Sequence, residues 1–242
     1  TGILAILNWF KNRTGPDGLI TNSPIYWNFT DWCPEWPVGI PPVSATGVST
    51  IINLHFVYAL QTAVRIFRIL GWQELANEWD SVAVKLRQSV QAKCWSEAEG
   101  IYLDVPGEPE GKSQHAQILA ILTDAVPVQP RELVDKLLKA DNKMAQATLY
   151  YKFYLFRALA KLDLYHRAYP ILDYWREMIK TGFTTWPEIP GETRSDCHAW
   201  SAWPVFDFIT EIVGIKPAGA GMSKLIIQPT PCGLSFARGK IP

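Results

Sequence analysis

The stretch "TTWPEIPGETRSDCHAW", Thr184 to Trp200, collects groups able to do acid–base chemistry. Glu188, Glu192, Arg194, Asp196 and His198 lie between Trp186 and Trp200, among Pro187, Pro190 and Gly191. Carboxylates move protons when they are held in place. Indole faces cover the apolar C–H side of a sugar ring. The bland alternative is a polar turn between helices.

Glu188 is the leading candidate. It follows Trp186-Pro187 and precedes a helix that Ser195 is expected to cap, running through "DCHAWSAWPVFDFITEIVG" with a bend at Pro204. The start of such a helix offers unpaired N–H groups and a positive dipole end. A carboxylate near it stays ionised, as a general base must. The competing reading is a solvated loop glutamate. His198 falls in the first turn of that helix, where it donates to a hydroxyl, orients the carboxylate, or is simply structural. Cys197 beside it makes a poor catalytic pair, because adjacent helical residues point about 100° apart.

A second constellation is "YWNFTDWCPEW", Tyr26 to Trp36. Asp31 sits between Thr30 and Trp32, with Trp27, Glu35 and Trp36 close in sequence. Carboxylates accept from sugar hydroxyls while Trp covers ring faces. An aromatic-packed structural loop reads equally well here. Two long loops that both mix carboxylates with Trp, at junctions between helix pairs, match the needs of glycoside hydrolysis.

These loops need helices to hold them. "ILAILNWFKNR" has helical spacing and ends at "TGPDG", a turn. "GLITNSPIYWNFTDWCPEWPVGIPPVSATG" has no helical period, and its length points to function. "VSTIINLHFVYALQTAVRIFRILG" reads as a helix capped near Ser49 and closed by Gly71. "WQELANEWDSVAVKLRQSVQAKCW" is its antiparallel partner, with Leu75, Trp79, Val82, Leu86 and Val90 on one apolar face. "EAEGIYLDVPGEPEGK" reads as a loop. Ser113 caps "SQHAQILAILTDA", and Pro130 opens "QPRELVDKLLKA". "AQATLYYKFYLFRALAKLDL" and "HRAYPILDYWREMIKTG" form another pair, with Pro170 in the first turn of the second helix or kinking it. "GIKPAGAG" ends helix, and "MSKLIIQPTP" and "LSFARG" read as strands whose partners are expected beyond Pro242. About eight helices in hairpins fit a bundle, a solenoid or an α/α toroid.

Composition narrows the function classes. The apolar share of 48% supports a large core, and the formal charge of zero, with no Lys/Arg run, excludes a nucleic-acid footprint. No stretch is long and apolar enough to span a bilayer, so no membrane partner is expected. Cys33, Cys94, Cys197 and Cys232 are far apart, which argues against a metal framework and for reduced, buried thiols. The four histidines lack ligand spacing, so neither metal nor cofactor is expected. "NRT" at Asn12 and "NFT" at Asn28 match glycosylation acceptors, and the compartment stays open between bacterial cytoplasm, periplasm and secretion. The 11 Trp point to an aromatic-lined cleft.

"GFTTWPEIPGETRSDCHAWSAWPVFDFITEIVGIKPAGAGMSKLIIQP" resembles the end of the catalytic domain of bacterial α-L-rhamnosidases, glycoside hydrolase family 78. The shared pattern is Thr-Thr before Trp-x-Glu, then Ser-x-x-His, Gly-Ile-x-Pro, and a strand ending in Ile-x-Pro. "DGLI" followed by "TDW" resembles that family's mid-domain loop. The resemblance implies a mostly α chain: a partial (α/α)6 barrel of antiparallel helix hairpins over residues 1–220, then the first strands of a C-terminal β-sandwich over 221–242, starting with Lys224 to Gln228. It implies an inverting hydrolase of terminal α-L-rhamnosides. Glu188 would be the general base, His198 and Trp186 the sugar subsite, and Asp31 and Trp32 the family's Asp-Trp. Trp36 and Trp200 join the candidate sugar contacts as neighbouring aromatics. The implied partner is a small or oligosaccharide substrate with a terminal deoxy sugar.

The family's general acid lies in an upstream motif, Asp-x-x-x-x-Glu-(Arg/Gln) and Gly-Asp, that nothing here matches. The chain is therefore expected to need a missing upstream segment and to be poorly active alone. Inversion takes two carboxyl groups roughly 6.5–9.5 Å apart. The rival readings are a trehalase- or glucoamylase-like hydrolase on the same barrel, a non-catalytic carbohydrate-binding protein, and a toroid handling isoprenoids, whose Asp-rich motifs are absent.

Overall fold

The apolar spacing after Val48 folds as one long helix. The computed structural model describes residues 2–22, 25–189, 191 and 194–241. Helix α1 spans Gly2–Lys11, α2 Thr50–Ile69 and α3 Gln73–Cys94. α2 buries Ile51, Leu54, Val57, Leu60, Val64 and Phe67, a stripe at three- and four-residue steps. Gly71, at φ 77°, reverses the chain into α3. The buried stripe of α3 is Ala76, Trp79, Ala83, Leu86, Val90 and Cys94. It is thus rotated from the expected face, and Leu75 and Val82 sit half-buried at its edge. Small buried residues such as Ala76 and Ala83 let a helix pack closely on its neighbours.

The chain forms two compact units, Thr1–Ala147 and Thr148–Pro242. In the first, α4 (Gln114–Leu122) is buried on every face. Ser113 caps it as expected, accepting from the Ala116 N–H at 3.3 Å. A helix buried all round must satisfy its own polar side chains. Gln117 does so by exchanging two 2.8 Å hydrogen bonds with the Tyr102 backbone. That backbone belongs to a small antiparallel hairpin: β1 (Trp95–Ser96) starts at the last residue of the stretch that reads as helix, and β2 (Ile101–Tyr102) lies in the segment that reads as loop. Helix α5, Pro130–Leu137, carries Pro at its first position and buries Leu133, Val134 and Leu137. The long Trp-rich loop is anchored by Asn53 of α2, whose amide bonds both N–H and C=O of Ile20.

In the second unit, α6 spans Lys152–Lys161, and a 3-10 turn containing Pro170 precedes α7, Asp173–Lys180. Trp203 centres the core, 4.4 Å from Phe156 and 4.9 Å from Trp175 between ring centroids. Both buried indoles find acceptors: Trp203 donates to the Leu149 carbonyl and Trp175 to that of Ser201. The long helix expected from Ser195 does not form. Ser195 to His198 is irregular, Ala199–Ser201 is a 3-10 turn, and α8 is only Pro204–Asp207 before a π-helical turn at Phe208–Ile212. Pro204 starts α8 rather than bending it, since its missing N–H costs nothing in a first turn. Arg157 bonds both Asp207 and Glu211, and Lys216 reaches Glu211 at 2.7 Å, pairing two buried carboxylates.

Strand β4 (Leu225–Ile227) does find a partner within the chain: it pairs antiparallel with β3 (Ile215–Pro217). Pro217 tolerates this place at a strand end. Leu234 to Gly239 forms no strand. Cys33 and Cys94 are buried as expected, but Cys197 is exposed. Among the described residues no helix is long and apolar enough to cross a membrane.

Candidate active site

Backbone pairing, not a helix, builds the Glu188 loop. The Glu188 N–H donates to the Ser195 carbonyl at 2.8 Å, and the His198 N–H to the Trp186 carbonyl at 2.5 Å. These bonds close the excursion between the two flanks. Side chains secure the same backbone. The Trp200 indole donates to the Glu188 carbonyl at 3.0 Å, the Ser201 hydroxyl to that of Pro187 at 2.7 Å, and the Thr185 hydroxyl to that of Asp196. Pro187 fixes one further dihedral. Glu188 is therefore positioned by its own loop.

Glu188 is buried, its side chain only 8% exposed. Arg194 forks onto it, with Nε 3.1 Å from Oε2 and Nη2 2.5 Å from Oε1. The cover is thin, because the Arg194 side chain is itself 73% exposed. Hydrogen bonding from Arg194 holds Glu188 below the usual carboxylate range; burial opposes this, and the charges of Arg194 and His198 assist it. Glu188 thus stays ionised as expected, but the cause is Arg194 and not a helix dipole. The sequence does carry the signal: a Glu and an Arg stand six residues apart around Pro190 and Gly191. Pro190, Glu192 and Thr193 of the same stretch lie outside the described residues.

Aromatic surface adjoins the carboxylate. The His198 ring lies 4.2 Å from Trp200, which leans on Tyr150 at 5.3 Å. Trp186, His198 and Trp200 are all half-buried, so each keeps a face for a ligand. An apolar cavity of about 550 Å³ in this unit meets the loop only at Thr184, Thr185 and Trp186. Among the described residues its walls hold no carboxylate or imidazole, so the candidate acid–base groups lie outside it.

The first unit holds the other expected residues, and burial divides them. Trp32 is 39% exposed and clusters with Trp27 and Phe29 at 5.1–5.7 Å between centroids. Asp31 and Trp36 are buried, against the expectation that they meet a ligand directly. Asp31 Oδ2 lies 2.7 Å from His115 Nε2, and its Oδ1 accepts from the Trp32 N–H at 3.0 Å. Trp36 covers the His115 ring at 4.3 Å. His115, on the buried α4, drew no notice in the sequence, because a lone histidine in a helix carries no signal of what it meets. Gly39 sets the height of this loop. Its carbonyl accepts from Thr30 and Asp31, and at φ 72° it packs so tightly on Phe29 that no Cβ fits. Among the described residues no group of three or more His, Cys, Asp or Glu could hold a metal ion.

Residues 3–213 match the bacterial alpha-L-rhamnosidase 6 hairpin glycosidase domain. Solved structures share the fold. The GH78 family rhamnosidase of Bacillus sp. GL1 aligns with a TM-score of 0.79 at 24% identity, over 96% of this chain and 25% of its own. The alpha-L-rhamnosidase of Dictyoglumus thermophilum aligns at 0.72 and 20% identity, over 95% and 26%. A rhamnosidase from Klebsiella oxytoca, solved with rhamnose bound, aligns at 0.68 and 22% identity, over 84% and 40%. This chain therefore spans between 25% and 40% of those proteins. No curated protein matches it.

Proposed function

Because the chain belongs to the bacterial alpha-L-rhamnosidase 6 hairpin glycosidase family, we propose that it carries the general-base half of a glycoside hydrolase active site. The substrate is a glycoside with a terminal α-L-rhamnose, and the reaction inverts the anomeric centre. Glu188 takes a proton from water as that water's oxygen bonds the anomeric carbon and the glycosidic C–O bond breaks. A carboxylic acid outside this chain protonates the departing oxygen. Within the second unit, Trp186, His198 and Trp200 meet the sugar. Within the first unit, Trp32 is a candidate sugar contact, and Asp31 and Trp36 support it through His115 and the Trp32 backbone.

One observation supports this most: an ionised, nearly covered carboxylate held on a pinned loop beside half-exposed aromatic rings. A general base needs that fixed position and that charge. The test is hydrolysis of aryl glycosides by the full-length protein, with the first-formed sugar anomer followed by NMR. Cleavage of the α-L-rhamnoside to the β anomer is expected. Cleavage of the α-glucoside alone would favour a trehalase- or glucoamylase-like activity, and release of the α anomer would overturn inversion.

A further inference from the structure

We infer that Arg194 is the positioning residue of this site: its two-pronged fork holds the Glu188 carboxylate in place and sets how readily Glu188 accepts a proton. The inference rests on the reading of Glu188 as base. Three observations carry it. The fork is two-pronged, so each carboxylate oxygen already accepts from the guanidinium. Arg194 adjoins Ser195, whose carbonyl takes the Glu188 N–H, so the backbone places the two side chains opposite each other. The Arg194 side chain is 73% exposed while that of Glu188 is 8% exposed, so the arginine is the partner with room to move.

A carboxylate clamped by both prongs holds its charge well but takes a proton poorly, because the same contacts that favour the anion oppose its protonation. Each oxygen still keeps a lone pair for water, so weakening the fork strengthens the base without changing its access. The charged groups facing Glu188 are Arg194 and His198, and only Arg194 bonds its carboxylate among the described residues. Lysine keeps the charge but lacks the planar fork.

The test is a carbon-13 NMR titration of the Glu188 carboxyl in the full-length protein, wild type against Arg194→Lys and Arg194→Gln. Loss of the signal in Glu188→Gln assigns it. The titration midpoint is expected to move up in Arg194→Gln, with Arg194→Lys between. The acid limb of kcat/KM, which reports the free enzyme, is expected to move with it. An unchanged midpoint in all three proteins overturns the inference, since a merely structural arginine would alter stability and leave the titration in place. A moved midpoint with turnover indifferent to Glu188→Gln would uphold the lock and remove the base.

Discussion

His115 and Asp31 meet inside the first unit, Nε2 to Oδ2 at 2.7 Å, with neither side chain reaching solvent. This pair joins the buried helix α4 to the loop that displays Trp32. Truncating His115 leaves a buried carboxylate oxygen without that partner. His115→Ala is therefore expected to cost about 1–3 kcal/mol, read as a lower urea midpoint. The indole emission of the Trp27–Trp32 cluster should change with it. Unchanged stability would mean that the pair does not anchor the loop.

Gly39 allows a sharper backbone test. Its φ is 72°, and an added Cβ would lie 2.6 Å from the Phe29 ring. Gly39→Ala is expected to destabilise by about 1–3 kcal/mol from the left-handed conformation, with the clash adding to it. Gly107, at φ 75° with nothing near its Cβ position, is the control. Gly107→Ala should carry the backbone cost alone.

Asp104 supplies a pH dependence. Burial pushes its carboxyl up to about 6 from the ordinary 3.8, against the hydrogen bonds it receives from Ser113. Between those values the folded state holds more protons than the unfolded state, so stability from this group rises as pH falls. The gain begins near pH 6 and is complete below about 3.8. Urea unfolding of wild type and Asp104→Asn at pH 7, 5.5 and 4 isolates this contribution. The wild type should gain on the variant with acidification. A constant difference across that range would contradict the account.

Helices were legible where one period governed the sequence. The α2–α3 hairpin follows from apolar spacing and Gly71, and the α4 cap from Ser113. The α3 face is shifted by about one position: Ala76 and Ala83 are buried where Leu75 and Val82 read as the better apolar candidates. The segment after Ser195 misled for a different reason. Its apolar spacing is genuine, but Trp200, Ser201 and Trp203 spend it on tethering the Glu188 loop and filling the core. The β3–β4 pair hid behind Pro217, which reads as a breaker. At the site, Glu188 stands out as the candidate base from its Trp-Pro setting, and its ionisation is expected. The physical cause is not, because only the folded turn puts Arg194 across from it. The burial of Asp31 and Trp36 likewise depends on α4, eighty-odd residues away in sequence.

The most direct test of the central claim is single-site turnover. Glu188→Gln removes the negative charge while keeping the shape of the side chain. In the full-length protein acting on an aryl α-L-rhamnoside, kcat should fall by about 10²–10⁴, while calorimetry still detects sugar binding. Turnover at the wild-type rate in Glu188→Gln would contradict the account.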